Sequence, residues 1–347
     1  MIAAGGTAGH VVPALAVADA LRADGADVHF VGGERAERTL VPEAGYPLEA
    51  LDVAGLDRKD PIKAAKAALK AVRAVVTSLR ILRRLRPDAV LGGGGYVAGP
   101  VGLAAVLLRI PLVLTEADSH LGLTNRLLAP FAKRVCLAFP LPGRTGRRYI
   151  VTGRPVPPPF TDRAAAREQL GIGAEDTVVL VFGGSLGARS VNVAAAEGLR
   201  DAPFRVLHAS GTRDYDEVRK LVDGTASYDL RPYISPFGPA LAASDLVVAR
   251  AGGSIFEVAA HGRPALLVPY PHATADHQTA NARWMADGGA AVIVADAELT
   301  GERLAHEVAG LLHDRSKLAA MANASASLAR PDAAQDVAAA LRAVARA

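Results

Sequence analysis

Three glycine-rich turns constrain this chain more than any other feature: Gly5-Gly6-Thr7-Ala8-Gly9-His10, Gly92-Gly93-Gly94-Gly95-Tyr96 and Gly183-Gly184-Ser185-Leu186-Gly187-Ala188-Arg189. Each follows a short apolar run and precedes a helix-like segment. A glycine turn between strand and helix lets backbone N–H groups and a helix N-terminus face a phosphate. One such turn says little. The first and third head the two halves of the chain, which predicts two phosphate-competent α/β domains.

Apolar runs alternate with helical patterns throughout. Segments 28–31, 89–91, 112–114, 135–138 and 149–151 read as strands of a first parallel sheet, with helices at 13–23, 35–44, 61–85, 97–108 and 124–131. Strands at 177–182, 204–208, near Tyr233, 246–249, 265–269 and 291–294 form a second series, with helices at 190–197, 215–222, 255–260, 277–287 and 300–312. Such alternation means doubly wound α/β, with ligands at the carboxyl ends of the strands. Only residues 1–4 precede Gly5, so the first strand is either clipped or begins upstream. Pro155, Pro157, Pro158 and Pro159 make a stiff connector. The boundaries expected are a first domain over 1–151, a linker over 152–162 and a second domain over 163–330. A last helix over 333–345 follows Pro331, which lets it leave the second domain.

With 347 residues, two cores are the natural prior, and no apolar run has the length of a membrane span. The opening residues lack the basic-then-apolar pattern of a secretory signal, and Cys136, the sole cysteine, excludes an intrachain disulfide. These features point to the cytoplasm. Charge is uneven: from 58 to 86 ten cations face the single acid Asp60. Lys63, Lys66, Lys70 and Arg73 recur at helical spacing, with Ile62, Leu69, Val72, Val76 and Leu79 largely opposite. A basic amphipathic helix can lie on an anionic membrane, yet a solvated face above a core-facing stripe has the same pattern. Nucleic acid is disfavoured, since no aromatic residues interleave with the cations.

Taken together, GGTAGHVVPALAVADAL (5–21), GGGGYVAGP (92–100), GLTNRLLAPFAKRVCLAF (122–139), GGSLGARSVN (183–192), SDLVVARAGGSIFEVAAHGRPALLVPYP (244–271) and DHQTANA (276–282) resemble the MurG family. The resemblance implies a GT-B fold, α/β throughout: two Rossmann-like doubly wound domains facing across a cleft, the final helix packing back on the first. It implies inverting transfer of N-acetylglucosamine (GlcNAc) from UDP-GlcNAc to the undecaprenyl-diphosphate-linked muramoyl-pentapeptide, on the cytoplasmic face of the membrane. In that chemistry His10 is the candidate base, while a loop hydrogen bond is its ordinary alternative. Gly5, Gly6, Thr7, Gly9, Tyr96 and Asn125 would serve the acceptor side. On the donor side stand Gly184, Ser185, Arg189, Tyr233, Ile234, Gly252, Gly253, Ser254, Glu257, His277, Gln278 and Asn281. Arg189 fits a diphosphate or an exposed cap equally, and Asp276 reads as the N-cap of the helix that starts at His277. Neither a metal nor a cofactor is expected, because the acid–histidine pairs lack ligand spacing. In this family's setting the helix over 61–85 becomes the expected membrane contact.

The sequence departs from the family's usual pattern in places. Thr115-Glu116-Ala117-Asp118-Ser119-His120 stands where a His-Glu-Gln-Asn run is common, and Gly153-Arg154-Pro155-Val156-Pro157 where Gly-Asn-Pro-Val-Arg is common. Leu186 replaces a usual glutamine, and the Ser254–Glu257 interval is one residue short. These changes leave room for a UDP-sugar-dependent transferase with another lipid or natural-product acceptor. A nicotinamide-dependent oxidoreductase fits less well, because the first loop is not G-x-G-x-x-G. A UDP-sugar sensor would have no use for His10.

Overall fold

The computed structural model describes residues 1–53, 61–184 and 187–345, without the side chains of 61–69 and Thr274. The chain divides into two compact units, Met1–Pro157 with Arg330–Ala347, and Pro158–Ala329. In chain order the first unit runs β1 (Ile2–Ala3), α1 (Ala8–Ala23), β2 (Phe30–Gly32), α2 (Ala36–Glu43), β3 (Leu48–Ala50), α3 (Pro61–Leu85), β4 (Val90–Gly92), α4 (Gly95–Leu107), β5 (Leu112–Glu116), α5 (Leu123–Leu128), β6 (Arg134–Leu137) and β7 (Tyr149–Val151). The second runs α6 (Arg163–Gln169), β8 (Val178–Phe182), α7 (Arg189–Leu199), β9 (Arg205–Ala209), α8 (Tyr215–Val222), β10 (Tyr228–Arg231), α9 (Gly238–Ala243), β11 (Leu246–Ala249), α10 (Ile255–Ala260), β12 (Ala265–Leu267), α11 (His277–Asp287), β13 (Ala291–Ile293), α12 (Gly301–His313) and α13 (Arg315–Leu328). Helix α14 (Ala333–Arg342) belongs to the first unit and packs on α1.

Both sheets are parallel. Their orders are β3-β2-β1-β4-β5-β6-β7 and β10-β9-β8-β11-β12-β13. In each, the order reverses at one point, between β1 and β4 and between β8 and β11. Loops leaving the carboxyl ends of strands at such a point diverge and open a crevice for ligands. The glycine turns occupy these places: Gly5–Gly9 and Gly93–Gly95 in the first sheet, Gly183, Gly184 and Gly187 together with Gly252–Ser254 in the second.

Alternation of side chains across the strands builds the cores. Ile2 and Ala4 join a cluster with α1, α2 and α14, while Ala3 joins the opposite one with α3, α4 and α5. Strand β8 is apolar and buried at all five positions, as a parallel strand covered on both faces must be. Two-residue β1 survives because both residues are fully buried and paired on both sides, Ile2 with Phe30 and with Leu91.

The structure corrects several expectations. Strand β3 was not foreseen, because Leu-Glu-Ala at a half-buried edge carries no apolar run. The strand expected near Tyr233 ends at Arg231. Helices α6, α9 and α13 are additional; α13 is alanine-rich with little amphipathic signal, and its start is fixed by Asp314 accepting from the Lys317 amide. In α3 the buried stripe is Ala74, Ser78, Ile81 and Leu82, whereas Val72 and Val76 are 61% and 41% exposed. The stripe is displaced because small Ala74 and Ser78 let α3 approach α4 closely. Lys63 and Lys66 lie outside the described side chains.

Candidate active site

In the first unit, glycine is required where the two loops meet. Gly94 and Gly95 have φ of 100° and 76°, and a Cβ on Gly95 would fall 1.9 Å from the Gly5 carbonyl oxygen. A Cβ on Gly94 would lie 2.7 Å from His10 Cδ2, so the second loop is shaped around the imidazole. His10 Nδ1 lies 3.3 Å from Thr7 Oγ1. Burial, and then the Arg154 guanidinium, hold the imidazole below its ordinary pKa, with Asp118 and Glu37 pulling the other way. Thus His10 is held in its neutral form, in which one ring nitrogen keeps a free lone pair.

The brace of this region is Glu37, which the sequence reading missed. Its carboxylate is fully buried and accepts from the Gly6 N–H at 2.9 Å, the Gly33 N–H at 2.8 Å and the Tyr96 hydroxyl at 3.1 Å. Burial pushes this carboxyl up, but the hydrogen bonds outweigh it and hold the carboxyl below the usual range. A Cβ on Gly5 would meet Glu37 Oε1 at 2.8 Å. The available signal was an acid in the first turn of the helix after β2, aimed back at the loop. The Gly6 N–H is thus engaged by a carboxylate, and Tyr96 supports Glu37 while Arg35 stacks over its ring at 5.5 Å.

Asn125, expected on the acceptor side, is engaged within the fold. It is buried, and its Nδ2 donates to the Thr115 carbonyl and to Glu116 Oε2, each at 2.9 Å. Glu116 further accepts from the Gly122 and Asp118 amides. Burial raises its carboxyl despite these bonds. Asn125 therefore shapes the turn after β5.

In the second unit, Gly184 and Gly187 have φ of 89° and 75°, and a Cβ on Gly187 would strike the Ser210 carbonyl oxygen at 2.1 Å. Ser185, with Leu186, lies outside the described residues. Arg189 does not stand free at the head of α7; it pairs with Glu217 at 2.6 Å and lies 4.0 Å from Asp214. The unforeseen brace here is Arg250. This buried guanidinium donates to the Val268 and Pro269 carbonyls and to Ser190 Oγ, and pairs with Asp296 at 2.6 Å. Behind α7, His208 is buried between Tyr228 and Asn192, and burial lowers its pKa to about 3, so it remains neutral.

The remaining donor-side residues cluster around the Gly252-Gly253-Ser254 turn. Asn281 is 2% exposed; its Nδ2 donates to the Ala251 carbonyl at 3.0 Å while its Oδ1 lacks a partner. Gln278 accepts from the Tyr270 amide at 3.0 Å, and its Nε2 lies 3.9 Å from where a Gly252 Cβ would be. Ser254 is the N-cap of α10 by position, with Glu257 in the first turn. His277 begins α11. Asp276 precedes it in a left-handed conformation, but its side chain accepts from the Thr279 hydroxyl at 2.6 Å and makes no cap bond. Tyr233 is 60% exposed, whereas Ile234 is buried, so only the backbone of Ile234 is available to frame a base. Among the described residues no three His, Cys, Asp or Glu side chains converge as a metal site would require.

Known proteins match this arrangement. Residues 1–137 match the glycosyltransferase family 28 N-terminal domain, and residues 178–337 match the family 28 C-terminal domain. The chain is 44% identical to the UDP-N-acetylglucosamine–N-acetylmuramyl-(pentapeptide) pyrophosphoryl-undecaprenol N-acetylglucosamine transferase of Desulforudis audaxviator, over 95% of this chain and 94% of that protein. The protein of the same name from Moorella thermoacetica is also 44% identical, over 96% of this chain and 95% of its own. The crystal structure of Acinetobacter baumannii MurG superposes with a TM-score of 0.78 at 32% identity, covering 99% of this chain and 98% of that one. By full-length identity and by two Rossmann-like domains in the same order, this chain belongs to the MurG family and has its GT-B fold.

Proposed function

We propose that this chain transfers GlcNAc from UDP-GlcNAc to the undecaprenyl-diphosphate-linked muramoyl-pentapeptide, the step from lipid I to lipid II in peptidoglycan synthesis. Full-length identity to proteins named for that reaction supports the substrates, and the setting of His10 carries the chemistry. An acceptor hydroxyl attacks the anomeric carbon, the bond to the UDP oxygen breaks with inversion, and the hydroxyl proton passes to His10. With Nδ1–H donated to Thr7 Oγ1, Nε2 holds the lone pair that receives it. The leaving diphosphate is met by the Gly184 turn and the head of α7, whose N-terminal dipole favours negative charge. Arg189 can join only by exchanging Glu217 for the ligand. Glu257 reads as the ribose carboxylate, with His277 and Gln278 toward the sugar and Asn281 holding the Ala251 turn in place.

No described helix is long and apolar enough to cross a membrane. The first unit nevertheless exposes Val72 and Val76 on α3, Leu103 and Leu107 on α4, and Leu127 with Phe131 at α5. Helix α4 packs on both α3 and α5, and Arg73, Arg109, Arg126 and Lys133 are exposed beside these residues. This is the surface by which the protein attaches to an anionic leaflet holding its acceptor. Purified protein with labelled UDP-GlcNAc and a short-chain lipid I analogue should yield labelled disaccharide lipid. Retained UDP-GlcNAc binding without product would move the acceptor to another class.

A further inference from the structure

Gly9 lies in the first turn of α1, where its carbonyl would accept from the N–H four residues on. That residue is Pro13, which has none. Arg154 fills the vacancy, its Nη2 donating to the Gly9 oxygen. The arginine is delivered there because the Thr152 and Gly153 amides both donate to the Leu137 carbonyl, and Gly153 turns with φ of 82°. A Cβ at Gly153 would lie 2.5 Å from Arg330 Cβ, so this turn admits glycine alone. At Gly9, a Cβ would sit 3.6 Å from Arg154 Nη2; the bare backbone keeps the guanidinium close to the loop.

We infer that Arg154 is the cation that receives the diphosphate of the acceptor beside the first glycine loop. This inference rests on the lipid-linked acceptor proposed above. The loop is otherwise poorly suited to a dianion, because the Gly6 amide is spent on the buried Glu37 carboxylate, which adds a negative charge of its own. A guanidinium offers planar paired donors to phosphate oxygens, which a compact ammonium does not. The same charge disfavours an imidazolium at His10. The other charged groups facing His10 are Asp118, from the turn after β5, and Glu37, from α2; both favour the imidazolium, and Arg154 offsets them.

The test uses the full-length protein with Arg154→Gln and Arg154→Lys. Arg154→Gln should raise the KM for a short-chain lipid I analogue at least tenfold, leave UDP-GlcNAc affinity within twofold, and move the acid limb of kcat/KM to higher pH. Arg154→Lys should recover the acid limb but only part of the acceptor KM. An independent NMR titration of the His10 imidazole should show a higher midpoint in Arg154→Gln. Inorganic diphosphate should move that midpoint in the wild type and not in Arg154→Gln. An unchanged acceptor KM, equal losses for both substrates, or a His10 midpoint that ignores both substitution and diphosphate would overturn the inference. If the wild type makes no product from the analogue, the acceptor reading fails, while the diphosphate titration still decides whether Arg154 receives an anion.

Discussion

The two switch points share one topology and are braced by opposite charges. In the first unit a buried carboxylate, Glu37, gathers backbone N–H groups and a tyrosine hydroxyl; in the second a buried guanidinium, Arg250, gathers backbone carbonyls, a serine hydroxyl and Asp296. The difference has consequences for anions. A carboxylate brace consumes amides that a phosphate could use, so the first loop needs a separate cation. A guanidinium brace engages carbonyls and is balanced by Asp296, so it takes none of the backbone N–H groups that a diphosphate would use. The proposed division of labour follows: proton abstraction and acceptor in the first unit, leaving-group stabilisation in the second.

Exchanging the braces for neutral groups is the strongest way to break this contrast. Arg250→Leu removes the buried guanidinium from the Val268 and Pro269 carbonyls, from Ser190 Oγ and from the half-buried Asp296, and should cost about 3 kcal/mol in urea unfolding, with UDP-GlcNAc binding lost. A loss under about 1 kcal/mol, the size expected of an exposed pair, would show that the guanidinium is not a brace. Glu37→Gln should cost somewhat less, about 1–3 kcal/mol, because an amide NH₂ must face a backbone N–H. Its effect should fall on acceptor KM and leave donor affinity unchanged.

Because the Glu37 carboxyl is held below its ordinary range, its stabilising contribution is present above the unfolded-state pKa near 4.5 and fades as pH falls through the lower folded value. The wild-type advantage over Glu37→Gln should therefore be full above about pH 4.5 and shrink as the pH is lowered below it in thermal melts. An advantage that instead grows as the pH is lowered would contradict the assigned role.

On the donor side Asn281→Ala should cost about 1 kcal/mol of stability and weaken UDP-GlcNAc binding without altering acceptor KM. An acceptor effect would blur the two halves. The smallest effect is expected at the membrane surface. Replacing Arg73 and Arg126 by Glu should weaken sedimentation with anionic liposomes by about 1 kcal/mol per removed cation, while activity on a water-soluble acceptor analogue stays unchanged.

Much of this was legible in the residues. The glycine turns predicted their own places because φ near 100° at Gly94 and a 1.9 Å approach at Gly95 admit no other residue. The all-apolar run of β8 likewise could only be a covered parallel strand. The braces were not legible. Glu37 and Arg250 look like ordinary charged residues in sequence, and their roles arise from partners far along the chain, such as Gly6, Ser190 and Asp296. The motifs containing Asn125 and Asn281 do not reveal that both side chains also hold backbone turns, because the carbonyls they donate to lie 10 and 30 residues away. The α3 stripe was misplaced because alanine and serine give weak hydropathy signals while permitting close helix packing.

The most direct test of the account is His10→Ala, measured for turnover with UDP-GlcNAc and the lipid I analogue and, separately, for UDP-GlcNAc affinity by calorimetry. A positioned general base contributes about 10²–10⁴-fold, so turnover should fall by at least a hundredfold with donor affinity unchanged. Turnover within threefold of wild type, or a parallel loss of donor binding, would contradict His10 as the base of a first-unit acceptor site.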